Sequence, residues 1–266
     1  MQLMRNGLVR YGKNEKGVAT IELVNPPANT YSYEMMCDLD DAILEARFDE
    51  KVHVIVIRGA GDRFFCAGAD IGMLNRVSPH YKYMFCLHAN ETLLRLEHTP
   101  KLVIAAIRGH CVGGGFEIAL AADIRVAARG SGKIGLPEIN LGVLPGTGGT
   151  QRLARLIGKA KAIELMIEGR LLEMDEALQF GLLHHVWEGS EFEAKLSAYA
   201  EGFCPPSKAS LSVGLIKRAV QSGLEISIEQ GLALERELQQ RLFQSEDARE
   251  GLAAFNEKRK AEFRGF

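Results

Sequence analysis

The stretch LVIAAIRGHCVGGGFEIALAADIRVA, residues Leu102 to Ala127, decides the fold. It begins with an apolar, β-branched run that ends at a glycine, which predicts a buried strand. Three consecutive glycines, Gly113 to Gly115, then precede the compact apolar run that contains Glu117, and a further short apolar run closes the stretch. Strand, glycine turn, helix and strand in this order predict an α/β fold with largely parallel pairing.

The same alternation continues along the chain. Gly17 to Pro26 alternates as a strand does, and Tyr33 to Phe48 has apolar positions at helical spacing. The run VHVIVIRGAG, which begins at Val52, is typical of a buried strand. After about residue 190 the strand signal disappears, and two helical stretches follow Pro205-Pro206, the longer from Ile226 towards Phe263. We therefore predict an α/β core over residues 1–195 and a C-terminal helical region over residues 196–266.

The composition is that of an ordinary globular protein. Hydrophobic residues make up 47% and charged residues 25%, and the formal charge of −2 predicts no binding to nucleic acid or to an anionic membrane. No apolar run approaches the ~20 residues of a membrane span. The five cysteines are scattered and form no CxxC pair, which predicts free thiols in a reducing compartment. The first residues show no signal-peptide pattern, so we expect a cytoplasmic protein.

Several common cofactor and catalytic motifs are missing. The glycine-rich stretch GVLPGTGGTQR, Gly142 to Arg152, lacks the GKS or GKT ending of a phosphate loop, and no complete GxGxxG follows a strand. His184 and His185 are adjacent and would point to opposite faces of a strand, and neither HExxH nor GxSxG occurs. The pattern argues against an ATPase, a dinucleotide enzyme, a zinc enzyme and a serine hydrolase. We expect no metal and no cofactor.

Two glycine-flanked turns remain, each after a predicted strand: FFCAGADIGML, residues Phe64 to Leu74, and VGGGFE, which begins at Val112. Glycine lets a ligand approach the main chain, and a helix start leaves its first N–H groups unpaired. Two such N–H groups that converge from separate loops form an oxyanion hole. The residues alone leave other roles open: helix packing for the glycine run, a structural acid for Glu117, and a turn residue for Glu138.

Four blocks of this sequence resemble the crotonase superfamily, the enoyl-CoA hydratases and isomerases. They are FFCAGADI, the stretch quoted first, IGLPEINLGVLPGTGGTQRL from Ile134 to Leu153, and FNEKRKAEF from Phe255 to Phe263. The resemblance extends from about Gly17 to Phe263 and is closest to the hydratases. It implies a crotonase-like spiral of ββα units with a C-terminal helical trimerisation region, a homotrimer or homohexamer, and an acyl-CoA thioester as substrate.

The resemblance also implies roles for individual residues. The backbone N–H groups of Ala69 and Gly114 would form the oxyanion hole, and Glu117 and Glu138 match the two catalytic glutamates of hydratases. Glycines at the second turn would then clear space for the thioester. The residues implied in CoA binding are Ala67, Gly68, Asp70, Ile71, Gly72, Lys258 and Phe263.

The implied reaction is the reversible addition of water across the 2,3 double bond of a 2-enoyl-CoA, which gives a 3-hydroxyacyl-CoA. The alternative is an enoyl-CoA or dienoyl-CoA isomerase, which shares the oxyanion hole and moves a proton without adding water. A different alternative is RNA binding, which requires a basic helix. The first predicted helix is acidic instead, through Glu34, Asp38, Asp40, Asp41 and Glu45.

The sequence departs from the family pattern at several positions. Gly72 and Met73 stand where many hydratases carry a lysine for a CoA phosphate, so Arg63 and Lys258 become the candidate phosphate contacts. The interval between the two glutamates is one residue longer, through ARGSGK (residues 128–133), and we expect the extra residue in a loop. Arg108 stands where a small polar residue is more usual.

Overall fold

A computed structural model describes all 266 residues, and it contains no helix that is both long and apolar enough to cross a bilayer. The strands are β1 Gln2–Leu3, β2 Val9–Lys13, β3 Val18–Leu23, β4 Val54–Gly59, β5 Phe64–Cys66, β6 Leu102–Ile107, β7 His110–Val112, β8 Ile124–Ala128, β9 Lys133–Gly135, β10 Leu172–Glu173 and β11 His185–Trp187. The α-helices are α1 Tyr33–Phe48, α2 Ile71–Arg76, α3 Pro79–Glu97, α4 Gly114–Leu120, α5 Gly149–Ile157, α6 Lys159–Glu168, α7 Met174–Gln179, α8 Phe192–Glu201, α9 Ser210–Gly223, α10 Ile228–Phe243 and α11 Glu246–Glu257. A 3-10 helix spans Glu138–Leu141.

The strands form two sheets. The larger has the order β1-β2-β3-β4-β6-β8-β11, with parallel pairing from β3 onwards, and the smaller has the order β10-β9-β7-β5. Successive strands of the larger sheet (β4, β6, β8) are each followed by a short strand of the smaller sheet (β5, β7, β9) and then by helix. This repeated ββα unit confirms the predicted α/β class and spiral.

Alternation along β4 and β6 explains why both strands read as continuous apolar runs. In β4, Ile55 and Ile57 point into the main core, whereas Val54 and Val56 point into a second cluster beneath α8. β6 divides in the same way, and all six of its residues are buried. A strand that is covered on both faces has no polar side, so its sequence shows no alternation.

The C-terminal region differs from the prediction in two respects. The stretch from Ile226 towards Phe263 is two helices rather than one, because Ser245 caps a new helix by accepting the amide of Ala248 at 3.0 Å. The predicted boundary between residues 195 and 196 falls inside α8, whose Phe192 and Leu196 belong to the second core cluster. The α/β core therefore extends through this helix.

Ion pairs attach the C-terminal helices to the sheet. Lys217 of α9 is buried and contacts the Asp123 carboxylate at 2.8 Å, just before β8. Arg108 has a structural partner, since it donates to Glu193 of α8 at 3.1 Å, and Arg58 of β4 binds the same carboxylate through two contacts of 2.9 Å. All five cysteines are free, as predicted.

The glycine before Phe116 has a packing role that can be tested. A Cβ atom on Gly115 would lie 2.0 Å from the backbone oxygen of Cys66 in β5, so α4 approaches the smaller sheet only because this residue has no side chain. We expect Gly115→Ala to lower the free energy of unfolding by about 1–3 kcal/mol or more, as other overpacked sites do.

Gly223→Ala is the matched control, because a Cβ atom on this helical glycine meets nothing within 4 Å. This variant should keep or slightly raise stability through helix propensity. Thermal and urea unfolding of both variants measure the difference, and equal stability of the two would contradict the packing role.

Candidate active site

Glu117 lies in the first turn of α4 and is almost fully buried, with 1% of its surface exposed. Its Oε1 accepts two backbone N–H groups, from Thr147 and Gly149, each at 2.7 Å. Both donors belong to the loop of residues 142–149, here named the anchor loop. Gly149 is the first residue of α5, where the amide has no partner within its helix, so the helix start supplies a ready donor for a carboxylate.

The surroundings of Glu117 act on its pKa in opposite directions. Burial has the largest effect and raises the pKa of Glu117 above its ordinary value, because it disfavours the charged form. The amides of Gly149 and Thr147, the Thr147 hydroxyl and the charge of Arg152 lower it. Arg152 is itself fixed, since two of its nitrogens donate to Glu97 at 2.9 and 2.7 Å. The carboxyl is buried and precisely oriented, but its charged form has hydrogen-bond partners.

Glu138 begins the 3-10 helix, directly after Pro137, and is half-buried. Its Oε2 is buried and has no hydrogen-bond partner. Burial raises the pKa of Glu138 to about 7, and the charge of Glu117 adds to the rise. The two carboxyl groups are therefore electrostatic neighbours, and Glu138 keeps one oxygen free for a ligand or a water molecule.

The stretch predicted to hold the extra residue between the two acids forms a turn at residues 129–132. Residues 129–132 connect β8 to β9, and the Ser131 amide donates back to Ala128. Ile134 then pairs with Cys111 in the parallel ladder of β7 and β9. This ladder brings the segment after β9 beside the start of α4, where a Cβ atom on Gly113 would lie 3.0 Å from Oε1 of Glu138. The position of the extra residue stays a prediction.

Ala69 and Gly114 lie on two loops that meet. Tyr31 pairs with the loop on either side of Ala69, donating to the Gly68 oxygen at 2.9 Å and accepting from the Asp70 amide at 3.0 Å, and the Ala69 N–H has no acceptor within the chain. Gly114 is the first residue of α4, so its N–H has no partner within its helix. A Cβ atom on Gly68 would lie 3.1 Å from the Gly114 nitrogen, which shows how closely the loops approach.

A side chain on each of the three glycines would meet a different neighbour. This corrects the expectation that the run as a whole clears space for a ligand. A Cβ atom on Gly113 would lie 3.0 Å from Oε1 of Glu138, so this residue faces the site. Gly113 also has a φ of +56°, which favours glycine. On Gly114 a Cβ atom would meet the Tyr31 hydroxyl at 2.2 Å. Gly115 faces β5, so only one glycine of the three borders the carboxyl pair.

The predicted CoA-binding residues of the first turn line the approach to Ala69. The Ala67 amide donates to Ala28 at 3.0 Å, and Gly68 adopts a φ of +90°. Asp70 is the N-cap of α2 and accepts the Met73 amide at 3.1 Å, so its carboxylate has a structural partner. Ile71 and Gly72 form the exposed first turn of α2. Their role in binding stays a prediction.

Lys258 and Phe263 lie elsewhere in this chain. Lys258 ends α11 with a φ of +55°, and the Phe263 amide donates to the Pro206 oxygen at 3.1 Å. The end of the chain then contacts Ser210, whose hydroxyl also lies 2.9 Å from His53, just before β4. The tail thus packs on its own body rather than on the loops of the two acids. Arg63, the other candidate for a phosphate, is exposed and lies over the Phe64 ring.

Sequence reasoning missed three residues that hold the site together: Tyr31, Thr147 and Gly149. The two glycines after Thr147 at a predicted helix start are a usable signal for an anion anchor. Tyr31 gives no such signal, because its partners lie far along the chain.

No group of three or more His, Cys, Asp or Glu side chains is placed to hold a metal ion. The His184 ring accepts the Arg125 amide at 3.2 Å.

A buried, amide-anchored acid, a second acid of raised pKa and two free amides are the class of groups that can transfer protons beside a carbonyl group. Comparison with known proteins agrees with this class. Residues 13–265 match the family model described as enoyl-CoA hydratase/isomerase. The chain therefore belongs to the enoyl-CoA hydratase/isomerase family.

Individual relatives cover nearly the whole chain. The short-chain-enoyl-CoA hydratase of Clostridium acetobutylicum is 37% identical over 94% of this chain and 95% of its own. The mitochondrial methylglutaconyl-CoA hydratase of Rattus norvegicus is 37% identical over 89% of this chain and 76% of its own. A crystal structure of an enoyl-CoA hydratase from Geobacillus kaustophilus superposes with a TM-score of 0.94 at 42% identity, covering 97% of both chains.

The electrostatic link between the two acids predicts a measurable shift. In Glu117→Gln the negative charge that raises the pKa of Glu138 is removed, so the pKa of Glu138 should fall below its wild-type value of about 7. Titration of ¹³C-labelled glutamate carboxyls by NMR measures both values. An unchanged Glu138 titration would show that the two groups do not interact.

Proposed function

We propose that this chain is a 2-enoyl-CoA hydratase, which adds water reversibly across the 2,3 double bond of an enoyl thioester to give the 3-hydroxyacyl-CoA. The observation that carries the proposal is the pair of acids. Two amides hold the carboxyl group of Glu117, whereas Glu138 has a raised pKa. In the proposed reaction one acid accepts a proton and the other donates one. A double-bond shift requires only one acid–base group, whereas addition of water requires one group for the water and one for the α-carbon.

The thioester makes the reaction accessible. Conjugation to the carbonyl group makes the β-carbon electrophilic, and attack there places negative charge on the carbonyl oxygen as an enolate. We assign the N–H groups of Ala69 and Gly114 to this oxygen. Each donor of this kind is worth roughly 3–4 kcal/mol of transition-state stabilisation in other oxyanion holes, so two together supply several orders of magnitude in rate.

The two acids complete the proton balance. Glu117 takes a proton from water as its oxygen bonds to the β-carbon, and Glu138 gives a proton to the α-carbon. Dehydration reverses both transfers. Hydrogen bonds from two amides favour the ionised form of Glu117, which a base needs, and so oppose the effect of burial. A pKa of about 7 leaves about half of Glu138 protonated at neutral pH and able to act as an acid. Only water and protons move, so the proposed reaction requires no cofactor.

For the acyl group of the substrate, we propose only a chemical class. The named relatives act on short-chain enoyl-CoA and on methylglutaconyl-CoA, which are straight and branched substrates, and both fit a site built around the thioester and the first carbons of the acyl chain. We also propose a homotrimer or homohexamer, supported by the family resemblance and by the exposed apolar side chains of α9 and α10, among them Ile216, Val220 and Leu232.

Substitution of each acid tests the assignment. In Glu117→Gln and Glu138→Gln the shape of the side chain is kept but its proton transfer is lost, so we expect kcat for hydration of crotonyl-CoA to fall by roughly 10²- to 10⁴-fold in each. Loss of the absorbance of the conjugated thioester measures the rate. Glu229→Gln, at an exposed position of α10, is the control and should be fully active.

The activity of the wild-type protein distinguishes a hydratase from an isomerase. If wild-type protein leaves crotonyl-CoA unchanged but converts a 3-enoyl-CoA to its conjugated isomer, the chain is an isomerase and the hydratase proposal is wrong. Near-full turnover by both glutamine variants would refute the assignment of the acids.

The pH dependence follows from the shared proton. The active form carries one proton on the acid pair, so kcat/KM falls at high pH as that proton is lost and at low pH as a second proton binds. The alkaline limb should lie near the pKa of about 7 of Glu138. Hydration and dehydration should show the same two limbs, because the overall reaction neither takes up nor releases a proton. A profile that stays flat from pH 5 to 9 in both directions would contradict a titrating pair.

A further inference from the structure

Tyr31 is a buried residue that contacts the loop of Ala69, the start of α4 and the anchor loop, although it carries no predicted role. It precedes α1, is 2% exposed, and its ring lies 5.7 Å from the ring of Phe85 on α3. A buried tyrosine needs a partner for its hydroxyl, and here that partner is Oγ1 of Thr147 in the anchor loop, at 2.9 Å.

Three separate contacts converge on this one residue. Its backbone binds Gly68 and Asp70, which flank Ala69. Its ring and hydroxyl fill the space that a side chain on Gly114 would occupy. Its hydroxyl holds Thr147, whose amide donates to Oε1 of Glu117 at 2.7 Å. The two loops with free amides and the loop that anchors the acid are thus set relative to one another through one side chain.

We propose that Tyr31 is a positioning residue of this site, whose hydrogen bond to the Thr147 hydroxyl fixes the residue that donates its amide to the carboxylate of Glu117. This inference rests on the proposed function. The contacts, here named the donor chain, run from the Tyr31 hydroxyl to the Thr147 side chain, and from the Thr147 amide to Oε1 of Glu117. Tyr31 stabilises the ionised base without touching the substrate.

Other charged or titratable groups also face Glu117 and must be held constant in a test. They are Arg152 of α5, Glu138 of the 3-10 helix and Cys86 of α3. None of them touches the Tyr31 hydroxyl. Tyr31→Phe removes this hydroxyl and keeps the ring that fills the space beside Gly114, so it changes the donor chain alone.

Tyr31→Phe should lower kcat for hydration of crotonyl-CoA about tenfold with little change in KM, the loss expected for one hydrogen bond that matters in the transition state. The acid limb of the pH profile should move to higher pH, because Glu117 loses support for its charged form. Thr147→Val should have the same effect, and Tyr31→Phe/Thr147→Val should lose no more than either variant alone. Thr147→Ser, which keeps the hydroxyl, should lose less than Thr147→Val.

Tyr11→Phe is the matched control. Tyr11 is also a buried tyrosine, 4% exposed in β2, but its hydroxyl has no hydrogen-bond partner. This variant should keep wild-type kcat, KM and pH profile. If Tyr31→Phe behaves like Tyr11→Phe in all three, the proposal is overturned and Tyr31 only fills space.

A second readout separates this proposal from the proposed reaction. NMR titration of ¹³C-labelled glutamate in the Glu138→Gln background reports the pKa of Glu117 without any substrate. Tyr31→Phe should raise this pKa, and an unchanged value would refute the donor chain. If wild-type protein does not hydrate crotonyl-CoA, the proposed function fails, whereas the titration still decides the role of Tyr31.

Discussion

The burial of the Glu117 carboxyl group is the constraint on which the site depends. A charged carboxylate that is almost completely removed from water is costly unless donors compensate for its lost hydration. The compensation comes from the main chain, through the Thr147 and Gly149 amides of the anchor loop. Main-chain donors at a helix start are held by the fold itself, so they fix the orientation of the Glu117 carboxyl group.

The same constraint shapes the surroundings of α4. The helix begins among residues without side chains because its first turn is pressed against Tyr31 on one side and against β5 on the other. Close packing there sets the direction of the free amide at Gly114, and the short strands of the smaller sheet bring Ala69 to the same place. The ββα repeat is therefore the means by which residues from three successive units meet at one site.

Much of this fold could be predicted from the sequence, because its long elements carry strong patterns. The helix Tyr33–Phe48 was predicted with the bounds that the structure shows, and Leu102–Ile107 is buried on both faces as its composition indicates. The three-residue strands β5, β7 and β9 are too short to show a period, and the end of α10 depends on a local cap at Ser245. These features follow from context rather than from propensity.

The residues of the site likewise fall into two groups: some are predicted from local motifs, and others depend on contacts between distant segments. The family resemblance predicts Ala69, Gly114, Glu117 and Glu138 from three local stretches, and the structure places these stretches side by side. The contact between Tyr31 and Thr147 joins residues 116 positions apart, and no local pattern predicts such a pairing. The placement of the tail, with Lys258 and Phe263 turned towards Pro206, likewise depends on packing between distant segments.

In the proposed catalytic geometry two amides hold one thioester oxygen, and one acid lies on each side of the neighbouring carbons. A crystal structure with butyryl-CoA, a saturated thioester that cannot react, tests this geometry. We expect the thioester oxygen at about 3 Å from both the Ala69 and the Gly114 nitrogen atoms, with Glu117 and Glu138 beside the second and third carbons. A thioester oxygen that binds outside these two amides, or an acyl chain that leaves either acid in a different cavity, would contradict it.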